Sequence, residues 1–235
     1  MKKLSIAALL LFCTAMNAQS TPELKKHFEA FYKQMKQQGD VNGAINALTH
    51  LVVLEPSAAR KDTLAYLYAN AGQYLQAVNV LGAEKKDTDT DLAVEIKAIS
   101  LKQLNQPQLA VQQYELLHSR KPDVYTAYEL VDLNLQIGKA TEAKKYLDYG
   151  LANVKDDQML PFYESNPPYQ VPLKAAFTYQ KGLLQYNENK TNIDAAAKTI
   201  DEAILMAPNF NLAKQIKELL LKQKESANKP QEKKQ

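Results

Sequence analysis

GDVNGAINALTHLVVLEP (39–56), GQYLQAVNVLGAEKKDTD (72–89), NQPQLAVQQYELLHSRKP (105–122), GKATEAKKYLDYGLANVK (138–155) and TNIDAAAKTIDEAILMAP (191–208) are five versions of one pattern. Stacked, they align Ala44, Ala77, Ala110, Ala143 and Ala196. The first four alanines are 33 residues apart, and the last interval is 53. Pro56, Pro122 and Pro208 each follow an aligned alanine by 12 residues, where a helix running through the alanine has to stop. Two residue types report one period, and a period of about 33 to 34 residues marks a helical repeat array.

Each slot has a physical requirement. Alanine is small because two helices cross there at about 8 to 10 Å between axes, and a larger side chain would hold them apart. Four residues on stand Leu48, Leu81, Tyr114, Leu147 and Ile200, all bulky and on the same helix face. Gly39, Gly72 and Gly138 suit a left-handed residue between two helices, Asn105 can adopt the same conformation, and Thr191 suits it poorly. Upstream of the turns, Leu24, Phe28, Phe31, Tyr32 and Met35 keep three-four spacing. Ala127, Leu130, Val131, Asn134 and Leu135 do so with one polar interruption. A partner helix is therefore expected before each turn.

On these residues the chain resembles the tetratricopeptide repeat family over roughly residues 25 to 210. The resemblance implies an all-α fold, a right-handed superhelical solenoid of stacked antiparallel helix pairs whose first helices line a concave groove. The expected repeats are 25–58, 58–90, 91–123, 124–156 and 177–209. A capping helix is expected from Asn211 to about Lys224, with Leu212, Ile216, Leu219 and Leu220 on one face, and then a basic, disordered tail over 222–235 that is poor in apolar residues. Composition agrees: of 235 residues only 7 are glycine and none is tryptophan, while Leu, Ala, Lys and Gln favour helix. No run of alternating β-branched residues argues for a sheet.

Residues 1–18 have the layout of a secretory signal peptide. Lys2 and Lys3 precede an apolar run from Leu4 to Phe12, and Ala18 offers a cut that leaves Gln19 as the mature start. The run is too short to span a membrane, which takes about 20 residues. The expected location is periplasmic or secreted. Leu10-Leu11-Phe12-Cys13 carries the spacing of a bacterial lipoprotein box, but Phe12 stands where a small residue belongs. Cleavage after Ala18 removes Cys13, the one cysteine, and with it disulfides and thiolate chemistry.

Charge argues against nucleic acid. With Lys2 and Lys3 removed, 27 of the 29 basic residues face 26 acidic ones, and a near-neutral body lacks the continuous positive surface that phosphates require. The basic tail leaves contact with an anionic membrane surface open. His27, His50 and His118 are dispersed, with no acid at metalloprotease spacing and no phosphate- or dinucleotide-binding glycine motif. Asp87, Asp89, Asp91 and Glu95 imitate a calcium loop, but Leu92 and Ala98 stand where such a loop needs glycine and glutamate. Asp89, Thr90 or Asp91 as a helix cap is the structural alternative. No cofactor, metal or catalytic residue is implied, and the expectation is a non-enzymatic scaffold that binds another protein or peptide.

By the family's geometry, the exposed groove positions fall on Glu29, Lys33, Asp62, Tyr66, Asn70, Glu95, Ile99, Tyr125, Tyr128 and Asp132. Of these, Tyr66, Asn70, Ile99, Tyr125, Tyr128 and Asp132 are the candidate partner-binding residues, tyrosine serving as an anchor that buries area and keeps a hydroxyl. The lysine and asparagine clamp with which some members grip a terminal carboxylate is not matched by Glu29, Lys33, Asp62 and Thr63. The 20 extra residues before the fifth repeat hold four prolines and the aromatics Phe162, Tyr163 and Tyr169. Such a composition is extended or turn-rich. It is either a flap over the groove or a spacer whose aromatics patch a junction. A second function class is an envelope-associated factor that positions a membrane or cell-wall assembly through its C-terminal helix, tail or outer helix faces.

Overall fold

The computed structural model describes residues 21–228. The expected signal peptide over 1–18, with Cys13, and the last seven residues of the expected tail lie outside them. The chain divides into two compact units between Ala83 and Glu84.

The first unit contains α1 (Thr21–Gln38), α2 (Val41–Leu54), α3 (Ala58–Asn70) and α4 (Tyr74–Leu81), paired as the hairpins α1/α2 and α3/α4. Gly39 and Gly72, both at φ 72°, make the turn inside each hairpin. Glycine reaches this left-handed conformation without the Cβ clash that penalises other residues. Asp40 and Ser57 cap α2 and α3 by accepting from the backbone N–H groups of Gly43 and Arg60. Ile45, Leu48, Leu51 and Leu64 form the core, with Phe28, Tyr32, Leu67, Tyr68 and Val80 around it. The end of α2 is tied to both neighbours by Glu55, which pairs with Lys25 at 2.7 Å and Arg60 at 2.6 Å. These two donors hold the Glu55 carboxyl below its ordinary range. No proline ends α4. Gly82, at φ 83°, ends it instead, so α4 has 8 residues where α2 has 14.

The second unit contains α5 (Asp91–Gln103), α6 (Pro107–Arg120), α7 (Val124–Gln136), α8 (Ala140–Asn153), β1 (Met159–Phe162), β2 (Tyr169–Pro172), α9 (Leu173–Glu188), α10 (Ile193–Met206) and α11 (Asn211–Asn228). Helices pair as α5/α6, α7/α8 and α9/α10, and α11 covers α10. Asn105 (φ 55°) and Gly138 (φ 74°) make the first two turns as expected. The third turn uses no left-handed residue; there Asn189 Oδ1 accepts from the backbone N–H and hydroxyl of Thr191.

All five aligned alanines are buried, none more than 2% exposed. The three clocking prolines act through the residue before them. Glu55, Lys121 and Ala207 are all forced out of helical geometry, with φ between −148° and −139°, so α2, α6 and α10 stop two residues short of each proline.

Two features differ from expectation. The insert is extended as expected, but its two extended segments pair as an antiparallel β-hairpin where no sheet was expected, Met159 with Pro172 and Phe162 with Tyr169. The final helix runs to Asn228, past the expected Lys224. Its lysines pair with α10, Lys217 with Asp201 at 2.5 Å and Lys224 with Asp194 at 2.6 Å, so Lys222 and Lys224 belong to a helix rather than a tail.

The centre of the second unit is α9, which packs on α7, α8, α10 and both strands. Leu173, Ala175, Ala176 and Phe177 are fully covered. Two glycines allow this crowding. A Cβ on Gly150 would sit 2.2 Å from the Phe177 ring, and one on Gly182 would sit 2.6 Å from Ile200 and 3.0 Å from the Ala196 carbonyl.

His118 on α6 lies edge-on to Tyr146 and Tyr149, at 5.4 and 4.7 Å between ring centres. Burial is the largest influence and pulls its imidazole below the ordinary value of 6.5, against the opposing pull of Asp123. The native state resists protonation that the unfolded chain accepts. This contribution to stability is therefore complete above pH 6.5 and declines as pH falls below it toward the native value. In His118→Phe that part of the decline should vanish when urea midpoints are compared between pH 7.5 and 5.5; parallel curves for the two proteins would refute the assignment.

Candidate functional site

A cleft of about 390 Å³ opens in the second unit. One wall is the exposed stripe of α5, Asp91, Glu95 and Ile99, four residues apart and thus stacked on one face. The other is the first part of α7, with Tyr125, Thr126 and Glu129 behind the cap residue Asp123. Tyr114, Leu117 and Lys121 from the end of α6 form the base, and Leu160 of β1 reaches the cleft from the hairpin. Tyr125 Oη donates to the Met159 carbonyl at 3.4 Å, joining the α7 wall to β1.

Most of the acidic groups already have partners. Asp91 accepts from Arg120 at 2.7 Å, and the same guanidinium holds the Asp87 carbonyl. Glu129 is paired with Lys102. Asp123 caps α7 through the N–H groups of Tyr125 and Thr126, each at 2.9 Å. Glu95 is exposed and makes no ion pair among the described residues. Burial pushes the Tyr114 phenol far above its ordinary range, and the charges of Glu129, Glu95 and Asp132 push it further. The cleft thus offers a neutral hydroxyl, carboxylate acceptors and apolar surface, and pairs no nucleophile with a base.

The expected site residues divide. Ile99 and Tyr125 line the cleft at 39% and 42% exposure. Tyr128 does not; it is half-buried, its ring edge-on to Phe177 at 5.7 Å and its carbonyl accepting from Gln180. Asp132 is half-buried too, held by Gln136 Nε2 at 2.9 Å, and burial raises its carboxyl above the usual range despite Lys102. In the first unit Tyr66 and Asn70 are exposed on α3. Asp62, expected on the surface, is buried at 7%, and Glu29 is engaged by Arg60 and Lys25.

Of the two readings of the insert aromatics, Phe162 and Tyr169 fit the junction patch rather than the flap. Phe162 is buried, stacked on Tyr169 and packed against Phe210 at 4.8 Å. The Tyr169 hydroxyl is bonded to Glu164 and accepts from the Leu212 N–H at 3.2 Å, and burial raises it to about 12. Tyr163 alone is open, at 75% exposure. The residue of the insert that reaches the cleft is Leu160, which was not among the expected site residues; it stands two before Phe162 on β1 and so shares its inward face, the signal that could have raised it.

The acidic segment is accounted for by its bonds. Thr90 caps α5 through the Ala93 N–H, Asp89 pairs with the fully buried Lys97, and Asp91 meets Arg120. His50 stacks on Phe28 at 4.1 Å.

Neither a family model nor a curated protein matches this sequence. Solved structures do match. A tetratricopeptide repeat protein from Parabacteroides merdae superposes with a TM-score of 0.63 at 15% identity, over 87% of this chain and 76% of that one. The MamA protein does so with a TM-score of 0.57 at 17% identity, over 79% of this chain and 92% of that one. This chain has the tetratricopeptide-repeat fold. In its repeats α5/α6 and α7/α8 the cleft occupies the side formed by the first helices, with the base supplied by α6 and an added edge supplied by a hairpin outside the repeat pattern.

Proposed function

We propose that the protein is an exported, non-enzymatic scaffold that binds a polypeptide in the cleft between α5 and α7. The observation that carries this reading is the pair of exposed apolar residues, Ile99 and Tyr125, on facing helices with Leu160 of the hairpin beside them. Isolated exposed apolar residues are ordinary, but a concave apolar cleft with convergent polar groups is the usual form of a binding site. Tetratricopeptide-fold neighbours support the same general role. Export rests on residues 1–18, and N-terminal sequencing of the protein recovered from its native envelope or medium should begin at Gln19.

A photo-crosslinking residue placed at Tyr125 or Ile99 should capture one and the same protein, while the same group at Lys145, on the second helix α8, should not. Equal capture from all three positions, or from Lys145 alone, removes the cleft from consideration. The envelope-assembly reading has its own observation, the exposed Leu205, Met206 and Leu219 of α10 and α11, at 80%, 46% and 60%. Crosslinks confined to Leu219, or a partner lost on deleting 229–235 while Tyr125 stays silent, would favour it.

A further inference from the structure

We infer that the cleft between α5 and α7 receives a lysine or arginine side chain of its polypeptide partner, flanked by an apolar residue. This deepens the reading given above and depends on it. Two independent observations point to the cation.

The first is charge that the fold leaves unanswered. Of the carboxylates on the cleft, Asp91 and Glu129 are matched by Arg120 and Lys102 and Asp123 by backbone donors. Glu95 stands midway along the α5 wall with no such partner among the described residues, between Asp91 one turn before and Ile99 one turn after. Lys121 is the one cation that lines the cleft, at its base on the end of α6. Asp132, one turn beyond the cleft wall on α7, adds to the negative field felt by Tyr114.

The second is Tyr114. It is 7% exposed, lines the cleft, and its hydroxyl makes no hydrogen bond among the described residues. A phenol held neutral in a field of carboxylates keeps oxygen lone pairs for an incoming N–H donor. The hydroxyl lies on the cleft, so a ligand N–H donor there adds a hydrogen bond without displacing a protein partner. Tyr125 adds an aromatic face, which attracts ammonium and guanidinium groups. Ile99, Leu117 and Leu160 supply the apolar contact for the stem of such a side chain and for its neighbour.

A cation placed there meets Glu95 and the Tyr114 hydroxyl together. An anionic side chain would meet only Lys121 and would leave Glu95 opposed to a like charge.

Random dodecapeptides displayed on phage and selected on the protein spanning residues 19–235 provide the test. Recovered peptides are synthesised, and their affinities are read by fluorescence anisotropy for wild type, Glu95→Gln and Tyr125→Ala. The expected peptides carry a common lysine or arginine. Changing that residue to norleucine or citrulline should weaken binding to wild type about tenfold, but less than about twofold in Glu95→Gln, a coupling that isolates the pair. Glu95 is exposed and unpaired, so circular dichroism of Glu95→Gln should match wild type. Peptides that need Tyr125 but ignore loss of their cation would overturn the inference and leave the peptide-binding reading standing. No recovered peptide, or peptides indifferent to Tyr125→Ala, would overturn both.

Discussion

Asp89→Ala is expected to destabilise the second unit by about 3 kcal/mol. Lys97 is the reason: its side chain is fully buried on the inner face of α5, and its ammonium is held by Asp89 and by the Glu84 carbonyl at 2.8 Å. Removing the carboxylate strands a desolvated charge with one neutral acceptor, which costs far more than the pair contributes to stability. Thermal unfolding followed by circular dichroism would show the loss. The decisive control is Lys97→Met/Asp89→Ala, which removes both charges and fills the same volume. It should recover to within about 1 kcal/mol of wild type. A single variant as stable as wild type, or a double variant no better than the single, would show that Lys97 is not held by Asp89 as described.

Phe210→Ala should cost about 4 kcal/mol and should also release the hairpin. Phe210 is fully buried where the chain turns from α10 to α11. It touches Phe162 at 4.8 Å and Tyr179 at 5.2 Å between ring centres, and the neighbouring Asn209 donates to the Gln170 carbonyl at 3.0 Å. Truncation to alanine leaves a cavity under β1 and β2 as well as removing transferred surface. Leu160 is positioned by the same strand that Phe162 anchors. The backbone amides of 159–172 should therefore exchange with deuterium faster in this variant, while those of α5 and α6 keep their protection. Unchanged exchange in the hairpin would mean that its hold on the helices lies elsewhere.

These two sites differ in how visible they were. Lys97 sits in a repeat at a position where the local pattern asks only for a helix, and nothing nearby in sequence marks it as buried. Asp89 was legible as a possible cap or metal mimic but not as the partner of a lysine eight residues on. Their pairing arises because the loop from Asp87 to Thr90 folds back over the start of α5. Phe210 likewise reads as one apolar residue between Asn209 and Asn211. Its weight comes from contacts with Phe162 and Tyr179, distant in sequence, which local periodicity does not encode.

The groove residues divide for the same reason. Tyr125 and Tyr128 are three apart on α7 and looked alike in sequence, yet Tyr125 faces the cleft while Tyr128 meets Phe177 of α9. Helical spacing gives the angle of a side chain around its own axis. It does not tell whether a neighbouring helix has closed that direction, and here α9 closes it.

What the amino-acid order determined alone was the repeat: alanines where helices cross, glycine or asparagine where the chain reverses, prolines whose preceding residues cannot stay helical. Each is a local steric requirement, so each is written in the residues that meet it. The hairpin in the insert, the burial of Phe162 and Tyr169, the pairing of Lys97 and the place of Leu160 at the cleft were decided by tertiary structure. They depend on which surfaces remain uncovered after the helices have packed, and that is a property of the assembled units rather than of any segment.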